Sequence, residues 1–291
     1  MPTAINSWSD ISSIASSIQE DAVFVVRETN QLQNLVTVFN DMRGGNLRKN
    51  YQYNSATAGT IGETTDLTST SFAATAMQTL TPAEIGLQFF VSDLRAESES
   101  PDHIITDGAR ELGFAAASKV EADLYGLFSS LTGGSIGNVG SAPTWSYIAA
   151  AIAVARNANK SSNVPLACVM HGYHWSVLAK SASIAGATVA AAPGYQEQIT
   201  RSGYVGEFMG VPLYQVYQDV SGTGSTAWTS GAVFPRSALA LDWRRPIRVE
   251  VQRDASMRGI EFNMSAVYAK GIWRPELGVY FNLLAVTPTG V

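Results

Sequence analysis

Between residues 55 and 81, 17 of 27 positions are Thr, Ser or Ala, and large apolar residues dwindle to Ile61, Leu67, Phe72, Met77 and Leu80. Such a stretch cannot enclose a core of its own. β-branched Thr favours extended chain, and Gly59 and Gly62 supply bends. Arg48, Lys49, Tyr51 and Tyr53 open the segment, and Ile85, Leu87, Phe89 and Val91 close it at alternate positions, a strand signal. The pattern predicts a long hairpin over residues 44–93, with two legs of about 20 residues that each reach about 60 Å at the usual strand rise. A lone two-stranded ribbon is marginal in water, and a structureless loop of this length inside one compact domain is uncommon. The segment therefore has to lie on something else, and another copy of the chain is the economical answer.

Residues 100–131 read as one uninterrupted helix. Ser100 is a good N-cap, Pro101 suits the first helical position, and Asp102 sits where the helix dipole favours an anion. Apolar residues recur at Ile105, Ala109, Leu112, Ala116, Val120, Leu124, Leu127 and Leu131, which is one helix face. Gly133 and Gly134 stop it. At about 1.5 Å per residue this beam is roughly 45 Å long. A second stripe of Gly108, Ala115, Ala122 and Gly126 predicts close approach of another backbone, because interior glycines are costly in a helix.

Residues 1–20 form at most a short amphipathic helix or an arm, and residues 20–41 mix helix and strand signals. Beyond the beam and a Gly-rich linker, the pattern predicts a helix over 145–159, an apolar strand over 166–170, a helix over 172–184, a small-residue loop over 186–194, short strands within 204–217 and a Gly/Ser/Thr loop over 221–231. The last 60 or so residues are β. Ile247, Val249 and Val251 alternate with Arg248, Glu250 and Gln252, a turn follows at 253–256, and Ile260, Phe262, Met264, Ala266 and Tyr268 return. Val279, Phe281 and Leu283 make a final strand. An antiparallel sheet with one wet face results, with the beam as its cover, so the chain is α+β.

Charge and composition exclude more chemistry than they suggest. The net charge is -5, which argues against gripping nucleic acid by its phosphates. Charged residues are only 15 %, so much of the surface is small and polar or is buried against other chains. The single cysteine, Cys168, excludes an internal disulfide and sits in an apolar strand, where an inert thiol is expected. His171 and His174 stand three apart at a strand-to-helix turn, but no nearby carboxylate or cysteine completes a metal site. No nucleophile elbow, P-loop or dinucleotide fingerprint is present. There is no signal peptide and no apolar run long enough to span a membrane, so folding in a cytosol is the simplest reading. Trp243, Arg244, Arg245 and Pro246 form the one dense basic spot, best suited to an acid on a neighbouring chain.

The order of these parts resembles the major capsid proteins of tailed bacteriophages, the Hong Kong 97-type fold. The run Glu84, Ile85, Gly86, Leu87, Gln88, Phe89 leading out of the loop, and Trp273, Arg274, Pro275, Glu276 near the end, are similar in wording. The resemblance implies an N-terminal arm and the chain leading from it (1–43), an E-loop hairpin (44–93), a peripheral domain with a spine helix on an antiparallel sheet (94–143 and 232–291) and an α/β axial domain (144–231). It implies a structural protein of the virion, assembled in the host cytoplasm as hexamers and pentamers of itself into an icosahedral shell around double-stranded DNA. Portal and separate scaffolding or decoration proteins would be its partners. It implies no catalytic residue, no metal or other cofactor, no membrane partner and no sequence-specific nucleic-acid binding. Lys49 is the only lysine in the loop and no cross-linking motif matches it, so no covalent link between copies is expected. Candidate contacts between copies are Arg48, Lys49, Glu63 and Asp66 on the hairpin, meeting Glu111, Lys119 and Arg244. An encapsulin-like compartment shell is the alternative, and a cytosolic α/β enzyme using His171 and His174 a third reading.

Overall fold

The computed structural model describes residues 31–40, 47–53, 57–64, 66, 69, 71, 74–98, 101–160, 164–184, 204–217 and 220–288. In chain order the strands are β1 (Thr37–Phe39), β2 (Arg48–Tyr53), β3 (Ala74–Leu80), β4 (Ala83–Ser92), β5 (Ser135–Ile136), β6 (Leu166–His171), β7 (Tyr204–Phe208), β8 (Val211–Val216), β9 (Trp228–Pro235), β10 (Leu239–Asp254), β11 (Gly259–Ile272) and β12 (Val279–Leu284). The helices are α1 (Asp93–Ser98), α2 (Pro101–Tyr125), α3 (Trp145–Asn159) and α4 (Gly172–Ile184). Ser100, residues 1–30 and residues 186–194 lie outside the described residues.

The strands form a four-stranded sheet in the order β1-β10-β11-β4, a six-stranded sheet in the order β5-β12-β9-β6-β8-β7, and a separate ribbon of β2 and β3. The beam helix α2 ends at Tyr125, six residues before the predicted Leu131, and a 3-10 turn over Phe128–Ser130 follows. Gly126 sits at that break, where a residue of poor helix propensity lets the turn tighten. The tightening buries Phe128 completely and leaves Leu127 only partly covered. Gly133 is required further on, since a Cβ there would stand 2.5 Å from the Glu276 carbonyl.

The apolar stripe of α2 behaves as its spacing dictates. Ala109, Leu112, Ala116, Val120 and Leu124 are all buried, in one cluster with Ile247, Val249, Phe262 and Met264 of the four-stranded sheet. Val169, Ala232 and Phe234 of the six-stranded sheet belong to the same cluster, so the helix is cover for both sheets. The opposite face of the six-stranded sheet buries Ile148, Ile152 and Leu178 of α3 and α4 against Cys168, Met170 and Phe281. Of the two glycines in the small-residue stripe, Gly108 is the one that another element approaches. At Gly108 a Cβ would lie 2.6 Å from the Phe89 ring, so what comes close there is a side chain and not the predicted backbone.

Three further expectations change. The strand at 279–284 does not join the β10–β11 sheet; it pairs antiparallel with β9 in the six-stranded sheet. Trp228–Pro235, where the sequence suggests that a loop extends to Gly231, is a mostly buried central strand. The β10–β11 turn falls at residues 255–258, two residues later than expected. There the Asp254 carboxylate accepts the Ser256 N–H at 2.8 Å, the Ser256 hydroxyl at 2.6 Å and the Met257 N–H at 3.2 Å.

Candidate assembly surface

The paired part of the hairpin is shorter than its composition suggests. Arg48 stands opposite Leu80 and the ladder runs six rungs to Tyr53 opposite Ala74. β4, expected to close the loop, instead pairs with β11 over ten unbroken rungs, from Ser92 opposite Gly259 to Ala83 opposite Tyr268. Only Thr81 and Pro82 separate the ribbon from the sheet. Tyr51 and Tyr53 on the ribbon are 51 % and 55 % exposed, and Ile61, in the part of the hairpin beyond the ladder, is 53 % exposed. Leu87 and Phe90 on the edge strand β4, and Phe114 on the outer side of α2, are exposed as well.

The root of the ribbon is anchored within the same chain. Asp242 on β10 is wholly buried; its Oδ2 lies 2.9 Å from Arg48 Nε and 2.8 Å from an Arg244 guanidinium nitrogen. A second Arg48 nitrogen is 3.5 Å from Asp242 Oδ1. The same guanidinium lies 4.2 Å from the centre of the Phe39 ring, which in turn packs against Trp273. The Asn50 side-chain amide donates to the Trp273 carbonyl at 2.8 Å. Leu80 is buried with Ala240 and Ala269.

Arg48 and Arg244, expected on opposite sides of a contact between copies, thus meet inside one chain. Lys49, Glu63, Asp66, Glu111 and Lys119 are exposed. Lys119 bonds Asp123 one turn on at 2.9 Å, and Asp123 also takes Lys270 at 2.6 Å and the Tyr268 hydroxyl at 2.7 Å. Burial works to raise the Asp123 carboxyl, but these three partners outweigh it and hold it below the usual range. Asp242 escaped the sequence reading. Its signal was a lone acid in the apolar run from Ala238 to Trp243, directly before two arginines.

The residues that suggested chemistry are all buried. His174 is fully buried, its Nε2 is 3.2 Å from the Leu283 carbonyl, and burial pushes its pKa down to about 4, so it is neutral. His171 accepts the Tyr173 N–H at 3.1 Å through Nδ1. Burial pushes the Cys168 thiol up to about 12. Among the described residues no three His, Cys, Asp or Glu side chains converge as metal ligands. A cleft of about 240 Å³ between α2 and the end of β8 is lined, among the described residues, by one carboxyl, Glu121, beside Phe114, Gln215 and Tyr217. Burial raises that carboxyl, with the Gln31 N–H opposing. No helix among the described residues is long and apolar enough to cross a membrane.

This architecture, two sheets spanned by one beam helix with a ribbon held out from the body, is that of a shell subunit. The sequence profile described as phage capsid protein matches residues 75–280, and the chain belongs to the phage capsid protein family. It is a structural protein of the virion's capsid. No curated protein matches the chain in sequence. Among solved structures it is similar to that of Mycobacterium phage Che8, with 19 % identity, 82 % of this chain and 85 % of that one covered, and a TM-score of 0.58. It is similar to the Cyanophage Pam1 capsid asymmetric unit at 11 % identity, with coverage of 87 % and 89 % and a TM-score of 0.66. It is also similar to a virus-like particle from Pyrococcus furiosus at 11 % identity, with coverage of 91 % and 98 % and a TM-score of 0.57. At such identities the likeness is one of fold, the Hong Kong 97-type α+β capsid fold that the order of elements suggests.

Proposed function

We propose that many copies of this chain close into the icosahedral head of a tailed, double-stranded DNA phage, as hexamers and pentamers in which each ribbon lies over the four-stranded sheet and α2 of its neighbour. The observation that carries this is the hairpin itself, whose Tyr51, Tyr53 and Ile61 stand exposed. Obligate interfaces bury thousands of Å² and are largely apolar, which suits such a surface. Lys49, Glu63 and Asp66 of the ribbon are the charges to set against Glu111 and Lys119 of the next copy. The six-stranded sheet, with α3 and α4, is the part that gathers around the five-fold and six-fold centres. A portal, and separate scaffolding or decoration proteins, complete the head. The chain has no catalytic task, and its net charge of -5 suits a wall that encloses DNA without gripping it.

Electron microscopy of the purified protein tests the reading. Closed shells of uniform size are expected. A monomer at all concentrations, with the ribbon folded back on its own body, overturns it. The likeness to the Pyrococcus furiosus virus-like particle keeps a compartment shell as the second reading. A shell that co-purifies with an enzyme and lacks nucleic acid when isolated from its native source decides for that one.

A further inference from the structure

We propose that the trio formed by the buried Asp242 and its partly buried partners Arg48 and Arg244 sets the direction in which the ribbon leaves the body, and through it the curvature of the shell, rather than the stability of the fold. The curvature part rests on the assembly reading above; the direction part does not.

The energetics point this way first. Asp242 is 0 % exposed, and its partners Arg48 and Arg244 are 20 % and 12 % exposed. Removing such charges from water costs about as much as their attraction returns, and well-packed apolar side chains of similar volume usually serve stability as well or better. Stability alone therefore gives no reason for two arginines and an aspartate here, whereas a fixed geometry does. Arg48 is the first residue of β2, the point where the ribbon meets the sheet. Two of its nitrogens reach the two Asp242 oxygens, and the guanidinium plane lies over Phe39. A fork and a stacking face fix orientation as well as distance, which a point charge does not.

The trio also acts with two other restraints. The Asn50 amide on the Trp273 carbonyl and the Leu80 side chain between Ala240 and Ala269 hold the ribbon at separate places. Three separate contacts fix a rigid body, and losing the one that bears orientation leaves a swivel. Along the paired ladder from Arg48 to Tyr53 the chain spans about 17 Å at strand rise, so a swivel of about 20° moves its end by about 6 Å, more than one strand spacing.

The test needs no assembly for its first half. Spin labels on Tyr51→Cys and Glu111→Cys, with the native Cys168 buried and unlabelled, report the ribbon's direction by pulsed electron resonance on unassembled protein. The trio intact gives one narrow distance distribution. Arg48→Lys, which keeps the charge and loses the fork, is expected to broaden it at least twofold. Arg48→Met/Asp242→Leu/Arg244→Met is expected to broaden it further, with a melting temperature within a few degrees of the parent. An unbroadened distribution in both variants overturns the proposal, and so does a triple variant that fails to fold, because the trio would then serve stability. Particle diameters are the second half. Both variants are expected to give broad or open shells where the parent gives one size. Uniform parental particles despite a broadened ribbon overturn the curvature part. A parent that forms no shells refutes the assembly reading and leaves the direction result standing.

Discussion

Tyr125 and Ser230 exchange two hydrogen bonds: the Ser230 N–H donates to the Tyr125 hydroxyl at 2.9 Å, and that hydroxyl lies 2.6 Å from the Ser230 carbonyl. The Thr229 hydroxyl makes a third contact with it. The last residue of α2 is thereby tied to strand β9. Burial raises the Tyr125 hydroxyl above the ordinary phenol range, so it remains protonated. Tyr125→Phe keeps the ring against Phe128, whose centre is 5.1 Å away, and strands the partners at Ser230. A loss of about 1–3 kcal/mol is expected in denaturant unfolding, with the far-UV spectrum unchanged.

Gly108 marks the spot where α2 rests on the Phe89 ring. That ring is stacked on Phe262 with centres 4.6 Å apart, so it has little freedom to retreat. Gly108→Ala gains about 1 kcal/mol of helix propensity and meets the ring at a clashing distance. The clash outweighs the gain, as overpacking costs about 1–3 kcal/mol. Thermal melting should show a net loss for the alanine and a larger one for Gly108→Val.

His174 makes the fold sensitive to acid. It stays neutral in the folded chain down to about pH 4, whereas in the unfolded chain it takes up a proton near the ordinary value of 6.5. Between these limits the unfolded state binds more protons, so stability rises with pH from about 4 to 6.5 and is level above. The total is of order 3 kcal/mol. Denaturant midpoints from pH 7.5 down to 4.5 should fall less steeply for His174→Gln than for the parent.

Ile61 stands exposed in the hairpin beyond the paired ribbon, so charging it should cost the monomer less than about 0.5 kcal/mol. Ile61→Asp should nonetheless reduce shell yield at least tenfold on a sucrose gradient. Parental yield from this variant would remove that part of the hairpin from the assembly surface.

Purified particles, boiled in detergent, should run as a single band of monomer. Lys49 is exposed, and no cross-linking motif matches it. A ladder of joined copies would contradict this.

Local order was legible wherever periodicity and a breaker coincide. Helix α3 over Trp145–Asn159 and helix α4 over Gly172–Ile184 lie where their spacing puts them. The body's β10–β11 alternation also holds, with Ile247 and Val249 buried and Arg248 and Glu250 exposed. Partnership between distant strands was not legible. Thr229, Ser230 and Gly231 read as loop residues, but they are small because β9 is crowded. A Cβ at Gly231 would lie 2.3 Å from the Phe281 ring, and the Ser230 hydroxyl bonds the Asn282 side chain at 2.7 Å. The same holds at the ribbon's root. Arg48 and Asp242 are 194 positions apart, and only the fold makes neighbours of them.

The lone thiol offers a built-in alarm. Cys168 is sealed in the centre of the six-stranded sheet and scarcely ionises there. Reagents that titrate sulfhydryls should pass an intact particle by and mark only those molecules that have come undone, so a single colour reaction can count the damaged fraction of a preparation.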